Sequence, residues 1–246
     1  MSIAIGRGRL ANTDRGGGND WTSRPYGPSG RYFNALRRAA RAIVILFALG
    51  SASVPALAAD AAPRTIVAFG DSLTAGYGLS PGDGFATRLG AALTAAGVGA
   101  RVINGGVSGD TTAGGLARVD WLLADKPDLV IVELGANDAL RGFDPGETRR
   151  NLNAIIERIQ SAGARVLLAG MRAPPNLGRE YAEEFNRIFP DLAKRHKVPL
   201  YPFFLDGVAA VPQLNQADGI HPNAKGVAVI VERIMPKLLR ALGVPG

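Results

Sequence analysis

Cysteine is absent from this chain of 246 residues, and histidine occurs only twice. Without cysteine, disulfide bonds cannot hold the fold together in any compartment. Two histidines leave few candidates for an imidazole base, if the protein is an enzyme that needs one. The first strand-to-loop turn also lacks a Gly-Lys-Ser/Thr phosphate loop and the glycine pattern of dinucleotide-binding proteins, which argues against nucleotide use.

A surplus of basic residues is also missing from most of the chain. The net charge of +7 arises mainly in residues 1–58, which hold eight arginines and two acidic residues. The remaining residues hold 20 basic and 19 acidic side chains and are close to neutral. Their charge therefore gives no indication of a nucleic-acid-binding surface.

Residues 36–58 have the three parts of a secretory signal peptide. Residues 37–41 are basic, residues 42–49 are apolar, and small residues follow up to Ala58. This order predicts export with cleavage after Ala58. Pro55 and the glycine and serines before it leave an apolar run that is too short for an uncleaved membrane anchor. We therefore expect a periplasmic or secreted protein with no stable membrane anchor after cleavage.

Residues 1–35 are rich in glycine, arginine and asparagine and show no apolar periodicity. Such a composition predicts neither a folded core nor the basic region of a signal peptide. We expect this leader to be disordered or mis-annotated, with translation starting near Leu36 from a non-standard codon. Peptides from Gly8 to Arg24, found by mass analysis of the unprocessed precursor, would contradict the later start. Residues 59–246 are then expected to form one domain.

Short apolar segments alternate with helical patterns after the signal segment. Helices are predicted where apolar residues recur every three or four positions. Strands separated by such helices predict a parallel sheet with helices on both faces. We therefore predict an α/β, three-layer, flavodoxin-like fold with a central sheet of about five strands. The predicted strands are Ile66–Phe69, Arg101–Asn104, Leu129–Val132, Val166–Ala169 and Val198–Tyr201.

Ser72 follows the first predicted strand, directly after Gly70 and Asp71. In parallel sheets, ligands bind beyond the carboxyl ends of the strands, so this hydroxyl is expected at the binding edge. The alternative is an ordinary turn in which Asp71-Ser72 caps the next helix. As a nucleophile, a serine hydroxyl needs a base within hydrogen-bond reach and a third group that holds the base.

His221 is the better candidate base of the two histidines. Asp218 precedes it by three residues across a glycine-containing turn. This spacing lets the carboxylate accept a hydrogen bond from one ring nitrogen while the other nitrogen faces a serine. His196 lies among basic residues at the polar end of a helix, and we expect it to be a solvated surface residue. The alternative for residues 218–222 is a simple turn and helix cap.

Two further predicted loops carry hydrogen-bond donors. An acyl-transfer site needs donors for the oxyanion that develops on the carbonyl oxygen. Gly109 offers an unobstructed backbone N–H, Asn137 offers a side-chain amide, and Ser72 offers its own N–H. Alternatively, Asn137 ends its strand in an Asx turn and Gly109 is a loop hinge. The occurrence of all four loops in the order Ser, Gly, Asn, His favours the catalytic interpretation.

At these loops the chain resembles the SGNH or GDSL hydrolase family, and within it the bacterial periplasmic thioesterase, arylesterase and lysophospholipase enzymes. The similarity extends from about Thr65 to Leu242, although Ala136 stands where close relatives often have glycine. The four matching segments are Gly70-Asp71-Ser72-Leu73, Val107-Ser108-Gly109-Asp110-Thr111, Gly135-Ala136-Asn137-Asp138 and Asp218-Gly219-Ile220-His221-Pro222.

The resemblance implies a role for each matching residue. Ser72 would be the nucleophile, His221 the base and Asp218 the residue that orients it. Ser72, Gly109 and Asn137 would donate hydrogen bonds to the oxyanion. The family's activity implies hydrolysis of carboxylic esters and acyl thioesters of small molecules through an acyl-enzyme. We expect a monomer that needs no cofactor or metal.

Three other functions fit parts of the sequence. A carbohydrate O-acetyl esterase would use the same chemistry on a more polar substrate. A divalent-metal phosphohydrolase is conceivable because carboxylates in the predicted loops suit hard cations. A non-catalytic binding module is the third. Residues 171–181, rich in proline and apolar side chains, form either a mobile rim over an acyl groove or ordinary loop packing. The carboxylates concerned are Asp71, Asp110, Asp138 and Asp218.

Overall fold

The computed structural model describes residues 63–244. The predicted leader, the signal segment and the cleavage position after Ala58 lie outside the described residues. Within residues 63–244, no helix combines the length and the apolar character needed to cross a membrane.

Five strands form one parallel sheet in the order β2-β1-β3-β4-β5. This confirms the predicted α/β fold with a central sheet of about five strands. β1 lies between two neighbours, and its apolar residues 66–69 are fully buried, as expected for a strand covered on both faces. The strands are β1 (Arg64–Gly70), β2 (Ala100–Gly106), β3 (Leu129–Glu133), β4 (Arg165–Ala169) and β5 (Leu200–Tyr201).

β5 is shorter than predicted, whereas β1 and β2 are longer. Val198 was expected to begin the fifth strand, but its N–H donates to the carbonyl of Ala193 and so closes the preceding helix. Pairing with β4 therefore starts only at Leu200. A terminal helix bond of this kind competes with the strand for the same backbone donor.

Seven α-helices lie in the described part of the chain and form two groups. α2 and α7 contact each other, while α5 contacts both α3 and α6. α5 has an apolar stripe of one leucine and three isoleucines that is fully buried, and each of these side chains contributes about 1.5–3 kcal/mol by burial. The helices are α1 (Ser72–Ala75), α2 (Phe85–Ala95), α3 (Thr112–Leu123), α4 (Ala136–Leu140), α5 (Pro145–Ser161), α6 (Arg179–His196) and α7 (Ala224–Ala241).

The strand register brings the polar loops to one edge of the sheet. Gly70 at the end of β1 pairs with Gly106 of β2 on one side and with Glu133 of β3 on the other. The three strands thus end at the same level, and the segments that follow them begin side by side. The loop that precedes α7 reaches the same edge with His221.

Candidate active site

Ser72, His221 and Asp218 form one hydrogen-bonded chain. The Nε2 atom of His221 lies 3.0 Å from Oγ of Ser72, although the two residues are 149 positions apart in sequence. The Nδ1 atom lies 2.7 Å from Oδ2 of Asp218. This is the arrangement in which an imidazole can take a proton from a hydroxyl while a carboxylate holds the ring.

The loop around Asp218 fixes the carboxylate in place. Its Oδ1 atom accepts the backbone N–H groups of Ile220 and His221 at 2.9 and 3.0 Å. These two bonds and the imidazole lower the pKa of Asp218 to about 2. The carboxylate is therefore ionised throughout the neutral range and can stabilise a positively charged imidazole. Because the folded pKa is below the unfolded value, the ionised Asp218 also contributes to the stability of the fold. This contribution is lost only as the pH falls from about 4 towards 2.

The turn Gly70-Asp71-Ser72, here called the nucleophile turn, depends on glycine at position 70. A Cβ atom there would lie 2.2 Å from Oγ1 of Thr74, 2.3 Å from Oε2 of Glu133 and 2.6 Å from its backbone oxygen. Asp71 then caps α1, because its Oδ1 accepts the N–H of Leu73 at 3.0 Å. Ser72 thereby becomes the first residue of a short helix, where its own N–H has no partner inside the helix.

Gly109 and Asn137 lie at the same edge. Gly109 has a left-handed backbone with φ of 81°, which favours glycine. Among residues 63–244, the N–H groups of Ser72 and Gly109 donate no hydrogen bond. The amide of Asn137 donates to Oδ2 of Asp71 at 3.0 Å and to the carbonyl of Asp110 at 2.9 Å. It therefore joins the loops that follow β1, β2 and β3, and both amide hydrogens have acceptors within the protein.

Residues 68–229 match the GDSL-like Lipase/Acylhydrolase family. The chain belongs to this family. Esterase TesA of Pseudomonas aeruginosa is 42% identical over 190 residues, which are 77% of this chain and 94% of the relative. Thioesterase 1/protease 1/lysophospholipase L1 of Escherichia coli K12 is 42% identical over 179 residues, or 72% of this chain and 85% of the relative.

A solved structure gives the same result. The crystal structure of AlinE4, an SGNH-hydrolase family esterase, matches with 49% identity and a TM-score of 0.63, over 76% of this chain and all of that chain. The resemblance that the four loops indicated is therefore confirmed. Membership makes the protein an acylhydrolase, the class of enzyme predicted from the sequence.

Arg118 of α3 supports the site but was not identified from the sequence. Its guanidinium donates to the carbonyls of Gly70 and Gly105 and to Oδ2 of Asp110, at 2.9, 2.8 and 2.7 Å. It also lies 4.6 Å from the ring centre of Phe69. One side chain thus ties the ends of β1 and β2 to the loop of Gly109. The available signal was an arginine among small and apolar residues of a helix that faces the sheet.

Tyr77 and Arg141 also contact the proposed catalytic groups. The Tyr77 ring lies 4.7 Å from the His221 ring, centre to centre, and is tilted by 40° against it. Arg141 donates to the carbonyl of Gly109 at 2.9 Å. Neither contact has a local sequence signal, because each joins segments far apart in the chain.

A pair of buried carboxyl groups lies below the nucleophile turn. Asp71 is 1% exposed and Glu133 is fully buried. Burial raises the pKa of Asp71 to about 6, although hydrogen bonds from Leu73 and Asn137 oppose the shift. Burial and the neighbouring Asp71 carboxylate raise the pKa of Glu133 well above its usual range. We conclude that Glu133 carries the proton of the pair at neutral pH, since two adjacent carboxylates do not both ionise there.

This pair should make the protein less stable as the pH rises. Both folded pKa values exceed the unfolded ones, so the folded state binds protons more tightly than the unfolded state does. The stability that these protons contribute is complete below about pH 4 and is lost as the pH rises through the folded values. For each proton that only the folded state holds, the free energy of unfolding should fall by about 1.4 kcal/mol per pH unit. We expect Glu133→Gln to flatten this slope in urea unfolding measured from pH 5 to pH 8.

The exposed Glu232 of α7 supplies a matched control for that measurement. Glu232→Gln removes a carboxyl group from solvent and should leave the slope as in the wild type. Equal slopes for the wild type and Glu133→Gln would contradict the buried-proton assignment.

The other three carboxylates of the predicted loops each have their own partners. Asp138 is buried and accepts the N–H and hydroxyl of Thr112 and the hydroxyl of Thr148. Asp110 pairs with Arg118, and Asp218 pairs with His221. Within the described range 63–244, no three His, Cys, Asp or Glu side chains are grouped so that they could hold a metal ion.

His196 is more enclosed than predicted. It is only partly exposed, and its Nε2 lies 2.8 Å from Oδ1 of Asn153 on α5. Partial burial lowers its pKa, the opposite of what a charged helix-end histidine would show. The prediction missed this because it placed the end of α6 in solvent, whereas α6 packs on α5.

Proposed function

We propose that the protein is a serine hydrolase that cleaves carboxylic esters and acyl thioesters through a covalent acyl-enzyme, with Ser72, His221 and Asp218 as its catalytic residues. The observation that carries the proposal is the continuous contact from Ser72 Oγ to His221 Nε2 and from His221 Nδ1 to Asp218. A hydroxyl, an imidazole and a carboxylate in this order form the machinery of nucleophilic acyl transfer.

In the acylation step, Oγ of Ser72 attacks the carbonyl carbon as Nε2 of His221 takes its proton. The N–H groups of Ser72 and Gly109 and the amide of Asn137 would stabilise the oxyanion. The intermediate then breaks its bond to the alcohol or thiol, which receives the proton from His221. Asp218 stays ionised and holds the ring throughout.

In the deacylation step, water attacks the acyl-enzyme. His221 takes the proton of that water and returns it to Oγ of Ser72 when the acyl–serine bond breaks. The products are a carboxylic acid and the free enzyme. The cycle consumes one water molecule and needs no redox partner.

The edge of the sheet that carries the proposed catalytic residues favours substrates with an apolar acyl group. Five of the six large hydrophobic side chains that are exposed within residues 63–244 belong to segments at this edge. An apolar rim suits an alkyl or aryl acyl chain better than a sugar, which needs polar contacts. We therefore place ester and thioester hydrolysis, including lysophospholipids and aryl esters, ahead of carbohydrate deacetylation. The five residues are Tyr77, Val107, Leu140, Phe143 and Ile220.

Covalent labelling tests the proposal most directly. A fluorophosphonate should inactivate the enzyme irreversibly and leave one adduct on Ser72, detected by peptide mass analysis. Activity on p-nitrophenyl esters should survive treatment with EDTA. Loss of activity with EDTA and no labelling would instead favour the metal-dependent phosphohydrolase, and turnover of no acyl substrate would favour a binding module.

A substrate series then separates the two esterase functions. We expect kcat/KM to rise from p-nitrophenyl acetate to esters of medium-length acids, because a longer chain buries more apolar surface on the rim. An acetylated sugar as the best substrate would contradict this order.

We also propose that the mature protein is exported and starts near residue 59. The support is the basic, apolar and small-residue order of residues 36–58. Amino-terminal sequencing of the protein from the cell envelope and the medium tests this. A mature form that retains residues 37–41 would contradict it.

A further inference from the structure

Glu133 occupies a place that an apolar residue would normally fill. It is the last residue of β3, pairs with Gly70 of β1, and has no exposed surface. Its Oε1 atom is buried without a hydrogen-bond partner among the described residues. A buried carboxyl group with an unpartnered oxygen destabilises a fold. Its presence therefore calls for a function other than stability.

The other oxygen of Glu133 accepts hydrogen bonds from residues on both sides of Ser72. Oε2 accepts the hydroxyl of Thr74 at 2.7 Å and the backbone N–H of Asp71 at 3.3 Å. Asp71 directly precedes Ser72, and Thr74 follows it by two residues in α1. The carboxyl group is thus bonded to the nucleophile turn on both sides, from the interior of the sheet.

The contacts continue from Asp71 to the oxyanion side of the site. Oδ2 of Asp71 accepts the amide of Asn137 at 3.0 Å, while Oδ1 accepts the N–H of Leu73. A displacement of Glu133 would therefore be passed to the backbone at Ser72 and to the amide of Asn137. The positions of Ser72 and Asn137 therefore both depend on this one buried group.

We propose that Glu133 is a positioning residue for the reaction, acting through Asp71 and Thr74 on Ser72 and Asn137. The inference rests on the proposed function of Ser72. Glu133 does not touch the substrate in this role. Its effect is to hold the hydroxyl and the oxyanion donor at the spacing the reaction needs, and errors of about 1 Å in such spacing can cost about a hundredfold in rate.

Two substitutions at Glu133 separate positioning from simple packing. Glu133→Gln keeps an oxygen that accepts from Asp71 and Thr74, so kcat should stay within about threefold of the wild type. Glu133→Leu fills the space without an acceptor and should lower kcat about tenfold or more, with KM changed less than about twofold, because the loss is of geometry and not of binding.

Val132→Ala is the matched control. Val132 is the neighbouring, fully buried residue of β3, and its truncation weakens the core without touching the nucleophile turn. It should lower Tm and leave kcat unchanged. An equal loss of kcat in Val132→Ala and Glu133→Leu would overturn the proposal, as would equal losses in Glu133→Gln and Glu133→Leu.

Thr74→Val provides the same test if Glu133→Leu does not fold. It removes the hydroxyl that donates to Glu133 but keeps the shape of the side chain, and it should also lower kcat without raising KM. Wild-type kcat in this variant would overturn the proposal. Ser72→Ala distinguishes a failure of the proposed function from a failure of the role of Glu133. An active Ser72→Ala enzyme would refute the proposed function itself. An inactive Ser72→Ala enzyme, together with a fully active Glu133→Leu enzyme, would refute only the role of Glu133.

Discussion

Replacement of Ser72 by alanine is expected to lower kcat on a p-nitrophenyl ester by about 10⁴-fold or more. Without Oγ there is no atom at 3.0 Å from His221 to form the acyl-enzyme, and only the oxyanion donors and substrate binding remain. Ester hydrolysis by purified Ser72→Ala, measured beside the wild type, checks this. Fluorophosphonate labelling should disappear in the same variant.

The fold should not change in Ser72→Ala. Within residues 63–244 the hydroxyl forms a hydrogen bond only with the catalytic imidazole, and alanine is compatible with the first turn of α1. Tm should therefore stay close to that of the wild type. Ser108→Ala is the matched control, because Ser108 is an exposed serine beside Gly109 at the same edge of the sheet. It should retain nearly full activity. Substantial activity in Ser72→Ala would refute the nucleophile assignment.

The fold and the family were predictable because their signals are local. A buried strand such as β1 is a continuous apolar run, and a polar loop follows where the run stops. Parallel topology then places the loops after β1, β2 and β3 at one edge without further information. The contact between Ser72 and His221 follows from the same logic, once the last loop is brought to that edge.

The supporting contacts were not predictable because they depend on strand register. In the sequence, Glu133 is a polar residue that ends an apolar strand and could equally face solvent. Only its pairing opposite Gly70 places it under the turn of Asp71. Arg118 likewise has three acceptors because β1 and β2 end at the same level, which no spacing within α3 reveals.

The partners of Asn137 change how its predicted role is understood. Family resemblance implies that its amide serves the oxyanion, yet in the structure both amide hydrogens have protein acceptors, on Asp71 and Asp110. An amide hydrogen can be shared between two acceptors, so an arriving oxyanion does not require these bonds to break. The bonds instead orient the amide before the substrate binds, and such preorganised donors are the effective ones.

Asn137→Ala should therefore lower kcat by about 10²- to 10³-fold, the usual effect of removing one oxyanion donor. KM should change little, because the donor acts on charge that develops only in the transition state. Steady-state kinetics on a p-nitrophenyl ester measure both constants. Loss of the amide also frees Asp71 from one donor, so part of the decrease would come from the nucleophile turn.

Asn151→Ala is the matched control for this variant. Asn151 is also a partly buried asparagine that donates to a side chain, the hydroxyl of Thr112, but it lies on α5, and within residues 63–244 its side chain has no hydrogen bond to Ser72, Gly109 or Asn137. It should keep kcat within about threefold of the wild type, since it holds no donor for the oxyanion. If Asn137→Ala were as active as Asn151→Ala, the N–H groups of Ser72 and Gly109 alone would have to stabilise the oxyanion, and Asn137 would be a purely structural link between the three loops.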